Sequence, residues 1–310
     1  MELYKYQGAG NDFLIADNRD SHISVEAGVL VFHETDPVTG NTTGHHVAIS
    51  SLCDRRYGIG ADGLMLLESV SEAEGADAGN LPSGGKAPDF RMVYFNSDGS
   101  GGMMCGNGGR CIVAFAADLG ITHFDFIAAD GLHSADVLIE KEKSKTVRLK
   151  MKDVSGITPY PDLSGFFLDT GTRHFVRQVG NLPEYDVFGE GRHIRYLKEF
   201  APIGTNVNFI EPSGDVLNVR TYEKGVEDET FACGTGITAS AIVFWHLLSE
   251  QSDSRDSILS SSDGSVAGRV NVRIRALRDS LAVDFIPTPD GAKDVWLTGP
   301  ATFVCKVIVD

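Results

Sequence analysis

The sequence predicts an α/β protein built from two similar halves, and three observations support this prediction. A strand-like segment at residues 94–99 leads through glycine-rich sequence to Met104-Cys105-Gly106-Asn107-Gly108 and then to an apolar run typical of a helix. The same order returns when residues 220–225 lead to Ala232-Cys233-Gly234-Thr235-Gly236 and a second apolar run. The two cysteines lie 128 residues apart in a chain of 310, so each half presents one cysteine where a helix begins.

The hydrophobic pattern predicts the remaining elements. Segments rich in Gly, Ser and acidic residues are predicted to be exposed loops, at 69–88 and 252–268. Helices are predicted at 111–119 and 237–248. Strands are predicted at 5–17 (interrupted by a loop at 8–12), 90–95, 125–152 (as two antiparallel strands), 166–179, 207–210, 216–222, 270–286 and 295–309.

The composition limits the class of protein. With 42% hydrophobic residues the chain has enough apolar material to bury a core, which excludes a largely disordered protein. The net charge of −16 would repel nucleic acid and anionic membranes. No apolar run approaches the ~20 residues that span a bilayer, and no charged-then-apolar leader opens the chain. We therefore expect a cytoplasmic protein that acts on a small molecule and binds neither nucleic acid nor a membrane.

Two of the five cysteines are candidate catalytic groups. The odd number and the lack of a Cys-x-x-Cys motif argue against a disulfide framework and against a zinc site. Cys105 and Cys233 each precede a predicted helix, where the helix dipole and bare backbone amides lower a thiol pKa. The glycines beside them let an anion approach those amides closely. The other cysteines lack this context and are predicted to be structural: Cys53, Cys111 and Cys305.

Two such thiols suit one kind of reaction. If they lay on opposite sides of one bound anion, one could remove a proton from carbon and the other could return a proton from behind, which inverts the stereocentre. The helix amides would hold a carboxylate and stabilise the charge that develops. A single Cys-Gly-x-Gly before a helix is ordinarily a turn with a buried thiol. The duplication with matched flanking residues favours the functional interpretation.

Two other motifs are not expected to bind a cofactor or a metal. Gly58-Ile59-Gly60-Ala61-Asp62-Gly63 matches the dinucleotide-binding pattern, but it follows a predicted helix end, where that fingerprint needs a strand before it and a helix after it. His45-His46 lacks further candidate metal ligands nearby and is interpreted as a solvated pair.

The chain resembles the diaminopimelate epimerase family of cofactor-independent amino-acid epimerases over most of its length. Residues 23–45 and 70–89 lie outside the resemblance and are predicted to be insertions. The double-cysteine pattern is its most specific part. The motifs that carry the resemblance are Gln7-Gly8-Ala9-Gly10-Asn11-Asp12-Phe13, Arg56-Tyr57-Gly58-Ile59-Gly60-Ala61-Asp62-Gly63, Phe95-Asn96-Ser97-Asp98-Gly99-Ser100, Met104-Cys105-Gly106-Asn107-Gly108-Gly109-Arg110-Cys111, Gly204-Thr205-Asn206-Val207-Asn208-Phe209, Tyr222-Glu223-Lys224-Gly225, Glu229-Thr230-Phe231-Ala232-Cys233-Gly234-Thr235-Gly236 and Leu297-Thr298-Gly299-Pro300-Ala301.

The resemblance implies a specific architecture. It implies two pseudo-symmetric domains, each a curved, mostly antiparallel sheet around a central helix, with the active site in the cleft between them. The first domain would comprise residues 1–150 together with 299–310, and the second residues 151–298. A homodimer is also implied.

The resemblance further implies an activity and the residues that perform it. The reaction would convert LL-2,6-diaminopimelate to meso-diaminopimelate in lysine and peptidoglycan precursor biosynthesis, with neither pyridoxal phosphate nor a metal. Cys105 would remove the α-proton of the LL isomer and Cys233 would deliver one from the other face. The supporting residues fall into three groups: Asn11, Asn96 and Asn206 with Glu223 and Lys224 for the polar ends of the substrate; Gly106, Asn107, Gly234 and Thr235 for the reacting carboxylate; His174 and Glu223 beside the thiols.

Several positions depart from the family pattern. Lys224 stands where arginine is usual, which keeps the charge but loses the two-pronged contact with a carboxylate. Thr172-Arg173 replaces the usual Asn-Pro, and Gly63 replaces a frequent glutamine. These departures bear on the non-reacting end of the substrate. Two alternatives therefore stay open: a racemase of another amino acid on the same scaffold, and a non-catalytic amino-acid-binding protein.

Overall fold

The computed structural model describes residues 1–35, 38–71, 87–251 and 268–309. The chain divides into two compact units. One comprises Met1–Leu149 and Pro300–Asp310, and the other comprises Lys150–Gly299. The predicted loops at 69–88 and 252–268 lie almost entirely outside the described residues.

Within its described residues, the first unit contains ten strands and the end of a long final strand. Seven of the ten follow one another in the order β1-β2-β6-β7-β8-β9-β10. The end of the final strand pairs with β1, and its Phe303 amide donates to the carbonyl of Lys143 beside β10, which closes this order into a ring. The strands are β1 (Glu2–Gly8), β2 (Asn11–Asp17), β3 (Ile23–Glu26), β4 (Val29–Thr35), β5 (Thr42–Ala48), β6 (Gly63–Glu68), β7 (Phe90–Asn96), β8 (Phe124–Ala128), β9 (Gly131–Glu140) and β10 (Ser144–Lys150).

The segment at 23–45, predicted to be an insertion, forms most of a separate small sheet. Strands β3, β4 and β5 pair in antiparallel order. Ile23, Leu30 and Phe32 from this sheet are buried in the core of the first unit. The segment is therefore an integral part of that core.

Helix α2 (Gly106–Asp118) lies at the centre of the first unit, while α1 (Ile49–Cys53) is a short helix before β6. Every residue of α2 from Gly106 to Ala116 is buried. A helix that is buried all round must be surrounded by other elements. It ends at Asp118 with Leu119 as its C-cap, after which Gly120 adopts the left-handed conformation (φ 84°) that terminates helices.

The second unit repeats this plan around α4 (Gly234–Gln251), with the shorter α3 (Val187–Arg195) beside it. Two short 3-10 turns lie at Pro161–Leu163 and Leu182–Glu184. The strands are β11 (Thr158–Tyr160), β12 (Gly165–Asp169), β13 (Arg173–Gln178), β14 (Asn206–Ser213), β15 (Val216–Glu223), β16 (Asp228–Thr230), β17 (Val270–Arg275), β18 (Ser280–Thr288) and β19 (Gly291–Ile308), the last of which continues into the first unit.

The two units share one strand topology. In the first, antiparallel hairpin β1-β2 is joined by the parallel pair β2–β6 to hairpin β6-β7, and by the parallel pair β7–β8 to the meander β8-β9-β10. In the second, β12-β13, β14-β15 and β17-β18-β19 are connected in the same way. The predicted fold class, two similar halves with mostly antiparallel sheets around a central helix, is confirmed.

Three strand predictions were wrong in detail. Residues 270–286 form two antiparallel strands, β17 and most of β18, joined by a turn at 276–279. Residues 125–152 form parts of three strands, because Asp130 and the segment at 141–143 each turn the chain. Residues 166–179 form a hairpin, β12 and β13, in place of one strand, and Gly171 adopts a positive φ (105°) at its turn. The turn was signalled in the sequence, because Asp169-Thr170-Gly171-Thr172 is a cluster of turn-forming residues between two apolar segments, and the prediction of one strand overlooked it.

No helix in the described ranges is both long enough and apolar enough to span a bilayer.

Candidate active site

In the first unit, Cys105 caps the amino end of α2. Its backbone is extended (φ −117°, ψ 154°), and its Sγ accepts a hydrogen bond from the Gly108 amide at 3.3 Å. The side chain is exposed, whereas the helix behind it is buried. The sulfur therefore lies at the positive end of the helix dipole, where a thiolate is stabilised.

A chain of side-chain hydrogen bonds lies beside this cysteine. The fully buried Arg110 donates to Asn107 Oδ1 at 2.8 Å and to the Gly106 carbonyl at 3.1 Å. Asn107 Nδ2 donates in turn to Asn11 Oδ1 at 2.6 Å, and Asn11 Nδ2 donates to Asp62 at 2.9 Å. The predicted residues Asn11, Gly106 and Asn107 are thus brought together.

The strand ends place Asn96 at the same edge of the sheet. Phe13 of β2 is in register with Gly63 of β6, and Gly63 is in register with Asn96 of β7. Asn96 donates to Ser100 Oγ at 3.0 Å. A Cβ added at Gly63 would lie 2.5 Å from the Tyr94 ring. The ring therefore fills the space that the side chain of a glutamine would need at this position.

In the second unit, Cys233 directly precedes α4 and is buried. Its Sγ lies 3.4 Å from Thr235 Oγ1. Thr235 Oγ1, Thr172 Oγ1 and His174 Nε2 form a triangle with sides of 2.9, 2.9 and 3.0 Å. The predicted residues His174 and Thr235 therefore lie within one hydrogen-bonded group that reaches the cysteine.

His174 is neutral. Burial lowers its pKa from 6.5 to about 3. Asn208, which is itself fully buried, lies 3.0 Å from Nδ1 of the imidazole. A neutral imidazole has one nitrogen that donates and one that accepts.

Three further predicted residues lie at the edge of the sheet near His174. Asn206 of β14 is in register with His174 of β13. Its side chain donates to the Arg173 carbonyl at 2.9 Å and accepts from the Lys224 amide at 2.8 Å. Glu223 ends β15 and accepts from Thr230 Oγ1 at 2.9 Å. Asn206 therefore fixes the backbone from which the Lys224 side chain extends.

Arg173 extends from the opposite face of β13. Adjacent strand residues point to opposite faces, and His174 faces Thr235 of α4. The Arg173 guanidinium lies 5.1 Å from the ring centroid of Phe167 and donates to the Phe200 carbonyl. Its charge is thus held against the second unit's own core.

The other cysteines differ from this pair. Cys53 and Cys111 are buried; burial raises the pKa of Cys53 to about 11 and raises that of Cys111 still further. Cys305 lies in β19 and is half-buried.

The segment at 58–63 follows helix α1 and leads into strand β6. A dinucleotide fingerprint requires a helix after its glycines, and a strand stands there instead. His45 stacks on Phe32, with ring centroids 4.9 Å apart. Among the described residues, no group of three or more His, Cys, Asp or Glu side chains could hold a metal ion.

Sequence reasoning missed two members of the second unit's hydrogen-bonded group, Asn208 and Thr221. It assigned Thr172 to the non-reacting end of the substrate, whereas the Thr172 hydroxyl bonds His174 and Thr235 in the group that reaches Cys233. Thr221 Oγ1 donates to Asn208 Oδ1 at 2.9 Å. A signal was present, because Asn206 and Asn208 alternate with apolar residues in a strand that is buried on both faces. Buried amides need partners, and this predicts a polar group inside the unit.

Comparison with known proteins identifies the relatives of this chain. The family model described as diaminopimelate epimerase matches residues 3–155. A diaminopimelate epimerase from Flavobacterium psychrophilum is 37% identical over 312 residues, which cover 100% of both chains. One from Chlorobaculum tepidum is 41% identical over 248 residues, covering 77% of this chain and 82% of the relative.

Among solved structures, a phenazine biosynthesis protein of the PhzF family from Bacillus anthracis has a similar fold. The TM-score is 0.59 at 12% identity, and the match covers 100% of this chain and 99% of that one.

Proposed function

Because this chain belongs to the diaminopimelate epimerase family and is an amino-acid epimerase, we propose that it converts LL-2,6-diaminopimelate to meso-diaminopimelate with Cys105 and Cys233 as its two acid–base groups. The observation that carries this proposal is the duplication: each unit places one cysteine at the amino end of its central helix. The reaction belongs to lysine and peptidoglycan precursor biosynthesis.

The proposed reaction moves one proton to the enzyme and another from it. The Cys105 thiolate takes the α-proton of the LL isomer and becomes a thiol. The Cys233 thiol gives its proton to the opposite face of the same carbon and becomes a thiolate. When the meso product has formed, Cys105 is a thiol and Cys233 is a thiolate. The reverse reaction restores the original protonation states of the two cysteines.

The hydrogen bonds of the two units support these roles. The Gly108 amide donates to Cys105 Sγ and favours its thiolate, the form that accepts a proton. Thr235 Oγ1 lies within reach of Cys233 Sγ and can donate to the thiolate that forms there. His174 and Glu223 support the thiols. The imidazole of His174 is assigned a hydrogen-bonding role because it stays neutral and takes up no second proton near pH 7.

The substrate carboxylate at the reacting carbon is assigned to Gly106, Asn107, Gly234 and Thr235, at the amino ends of the two helices. Such termini present backbone amides to an anion and stabilise the charge that develops on deprotonation.

The polar groups at the far end of the substrate are assigned to Asn11, Asn96, Asn206, Glu223 and Lys224. Lys224 supplies a positive charge for the distal carboxylate, and its backbone is fixed by Asn206. Arg173 is left out of this assignment because its guanidinium is engaged with Phe167 and Phe200.

We place the enzyme in the cytoplasm, as a homodimer. A reducing compartment supports this placement because both proposed catalytic thiols must remain unoxidised. Sedimentation equilibrium of the reduced protein distinguishes a dimer from a monomer.

The proposed function is tested by incubating the reduced protein with LL-diaminopimelate and separating the stereoisomers. We expect the meso isomer to form, and we expect Cys105→Ala and Cys233→Ala each to abolish its formation. L-Lysine, which lacks the distal carboxylate, should not be racemised. Racemisation of lysine in preference to diaminopimelate would identify a racemase of another amino acid. Binding of diaminopimelate with no conversion would identify a binding protein.

A further inference from the structure

The backbone carbonyl of Phe175 determines which way the side-chain amide of Asn208 is turned. Its amide lies 3.1 Å from the Phe175 carbonyl, which can only accept a hydrogen bond. The atom that faces this carbonyl is therefore Nδ2, and Oδ1 accepts from Thr221 Oγ1 on the other side. This fixes the orientation of an amide whose two ends are otherwise hard to tell apart.

The orientation of Asn208 determines which nitrogen of His174 carries the proton. The same Nδ2 lies 3.0 Å from His174 Nδ1, and its two hydrogens serve the Phe175 carbonyl and this nitrogen. Since Nδ2 has no lone pair to offer, Nδ1 must accept. The proton of the neutral ring is then on Nε2, which faces Thr172 and Thr235.

Because His174 Nε2 is a donor, it determines how the Thr172 and Thr235 hydroxyl protons are oriented. His174 Nε2 donates into the triangle that it forms with the Thr172 and Thr235 hydroxyl oxygens. Neither hydroxyl is then required to donate back to the ring. The Thr235 proton is available to Cys233 Sγ, 3.4 Å away, and each donor in such a series strengthens the next.

The structure of α4 keeps these groups close together. A Cβ at Gly236 would lie 2.3 Å from Asn208 Oδ1, 3.2 Å from His174 Cε1 and 3.3 Å from Cys233 Cβ. Only glycine lets the first turn of the helix approach the buried amide and imidazole so closely.

We propose that Asn208 is a positioning residue that holds His174 as the neutral tautomer protonated on Nε2, so that the Thr172 and Thr235 hydroxyls direct a proton toward Cys233 Sγ and stabilise its thiolate. Only the catalytic use of the Cys233 thiolate rests on the proposed function. The tautomer of His174 is a property of the protein that is measured without any substrate.

The test uses the full chain labelled with 15N in its nine histidines, observed by NMR at pH 7. The resonances of His174 are those lost in His174→Gln. We expect the unprotonated-nitrogen signature at Nδ1 and the protonated one at Nε2. A wild-type spectrum with the proton on Nδ1, or with both nitrogens protonated, would overturn the proposal, and this result does not depend on Asn208→Asp folding.

Two matched variants extend the test. In Asn208→Asp a carboxylate oxygen replaces Nδ2 and can only accept, so Nδ1 should become protonated. Asn18→Asp is the control, because Asn18 is an equally buried amide in the other unit that donates to the Ile23 carbonyl and to Glu68. His174 should keep its signature in the control. An unchanged His174 signature in folded Asn208→Asp would also overturn the proposal.

The activity of the same variants separates the two proposals. We expect kcat for epimerisation to fall by about tenfold or more in Asn208→Asp relative to Asn18→Asp, the size expected when one hydrogen bond to a charged group is lost. A wild-type enzyme that epimerises diaminopimelate with His174 protonated on Nδ1 would contradict the positioning role alone. A protein with the predicted tautomer and no epimerisation would contradict the proposed function alone.

Discussion

At the scale of single residues, the two cysteines are supported by different chemistry. Cys105 accepts from a backbone amide, beside a chain that runs from Arg110 through Asn107 to Asn11. Cys233 lies beside a hydroxyl that is linked to a neutral imidazole. The halves share a topology, but the side chains that would stabilise each thiolate are not equivalent.

The hydroxyl of Thr235 is expected to contribute directly to turnover. Thr235→Val keeps the shape of the side chain and removes the donor 3.4 Å from Cys233 Sγ. A hydrogen bond to a charged group is worth about 1.5–3 kcal/mol, so we expect kcat to fall by roughly 10- to 100-fold. Thr235→Ser restores a hydroxyl and should retain most of the activity. Equal kcat values for the valine and serine variants would contradict this role.

The buried imidazole should make stability depend on pH. The pKa of His174 is about 3 in the folded chain against 6.5 for an ordinary histidine. As pH falls below 6.5 the unfolded chain binds a proton at this residue that the folded chain does not bind, so folding stability is lost progressively toward pH 3. The full slope for one such group is about 1.4 kcal/mol per pH unit.

His174→Gln should remove this part of the slope. Urea unfolding between pH 7 and pH 4.5 measures it, and we expect the free energy of unfolding to fall more steeply in the wild type than in the variant. Parallel curves for the two proteins would show that His174 becomes protonated in the folded state.

At the scale of elements, the two central helices differ in how closely they approach their surroundings. The third residue after each cysteine is a glycine, Gly108 in α2 and Gly236 in α4. A Cβ at Gly108 would make ordinary contacts of 3.4 Å or more, whereas one at Gly236 would lie 2.3 Å from Asn208 Oδ1.

Alanine at these two positions should therefore have opposite consequences. Gly236→Ala is expected to destabilise the protein by about 1–3 kcal/mol, the usual cost of overpacking. Gly108→Ala should be neutral or stabilising by up to about 1 kcal/mol, since alanine is the better helix former. Thermal unfolding of the two variants makes the comparison. A larger loss of stability from Gly108→Ala than from Gly236→Ala would contradict it.

Sequence reasoning predicted elements well where a strong pattern repeats. The echo around Cys105 and Cys233 predicted both central helices and the similarity of the two halves, because the motif is long and the helices are almost wholly apolar. One turn within 125–152 and the turn within 166–179 escaped prediction although each carries a signal, Asp130-Gly131 in the first and Asp169-Thr170-Gly171-Thr172 in the second, because the apolar residues on both sides were given more weight.

The supporting residues of the site were only partly predictable. Thr172 and Asn208 are short polar residues that act through tertiary hydrogen bonds, and local sequence does not show which partner each finds. The direction of Arg173 likewise depends on Phe167 and Phe200, which come from different parts of the chain.

At the scale of the whole molecule, each half repeats the same succession of hairpin, parallel pair, hairpin, parallel pair and meander. The repetition explains how one chain supplies two similar thiol sites. The final strand, β19, begins in the second unit and completes the ring of the first by pairing with β1. The first unit therefore depends on residues from both ends of the chain.

The central claim is that two cysteines act on opposite faces of one carbon, and solvent deuterium tests it most directly. Reduced protein is incubated with LL-diaminopimelate in D2O, the reaction is stopped early, and both isomers are recovered and analysed for deuterium at the α-carbon. We predict deuterium in the meso product and almost none in the recovered LL isomer, because the group that removes the proton differs from the group that supplies one. Deuterium that appears equally fast in recovered LL substrate, or conversion that persists in Cys105→Ala or Cys233→Ala, would contradict the two-cysteine mechanism.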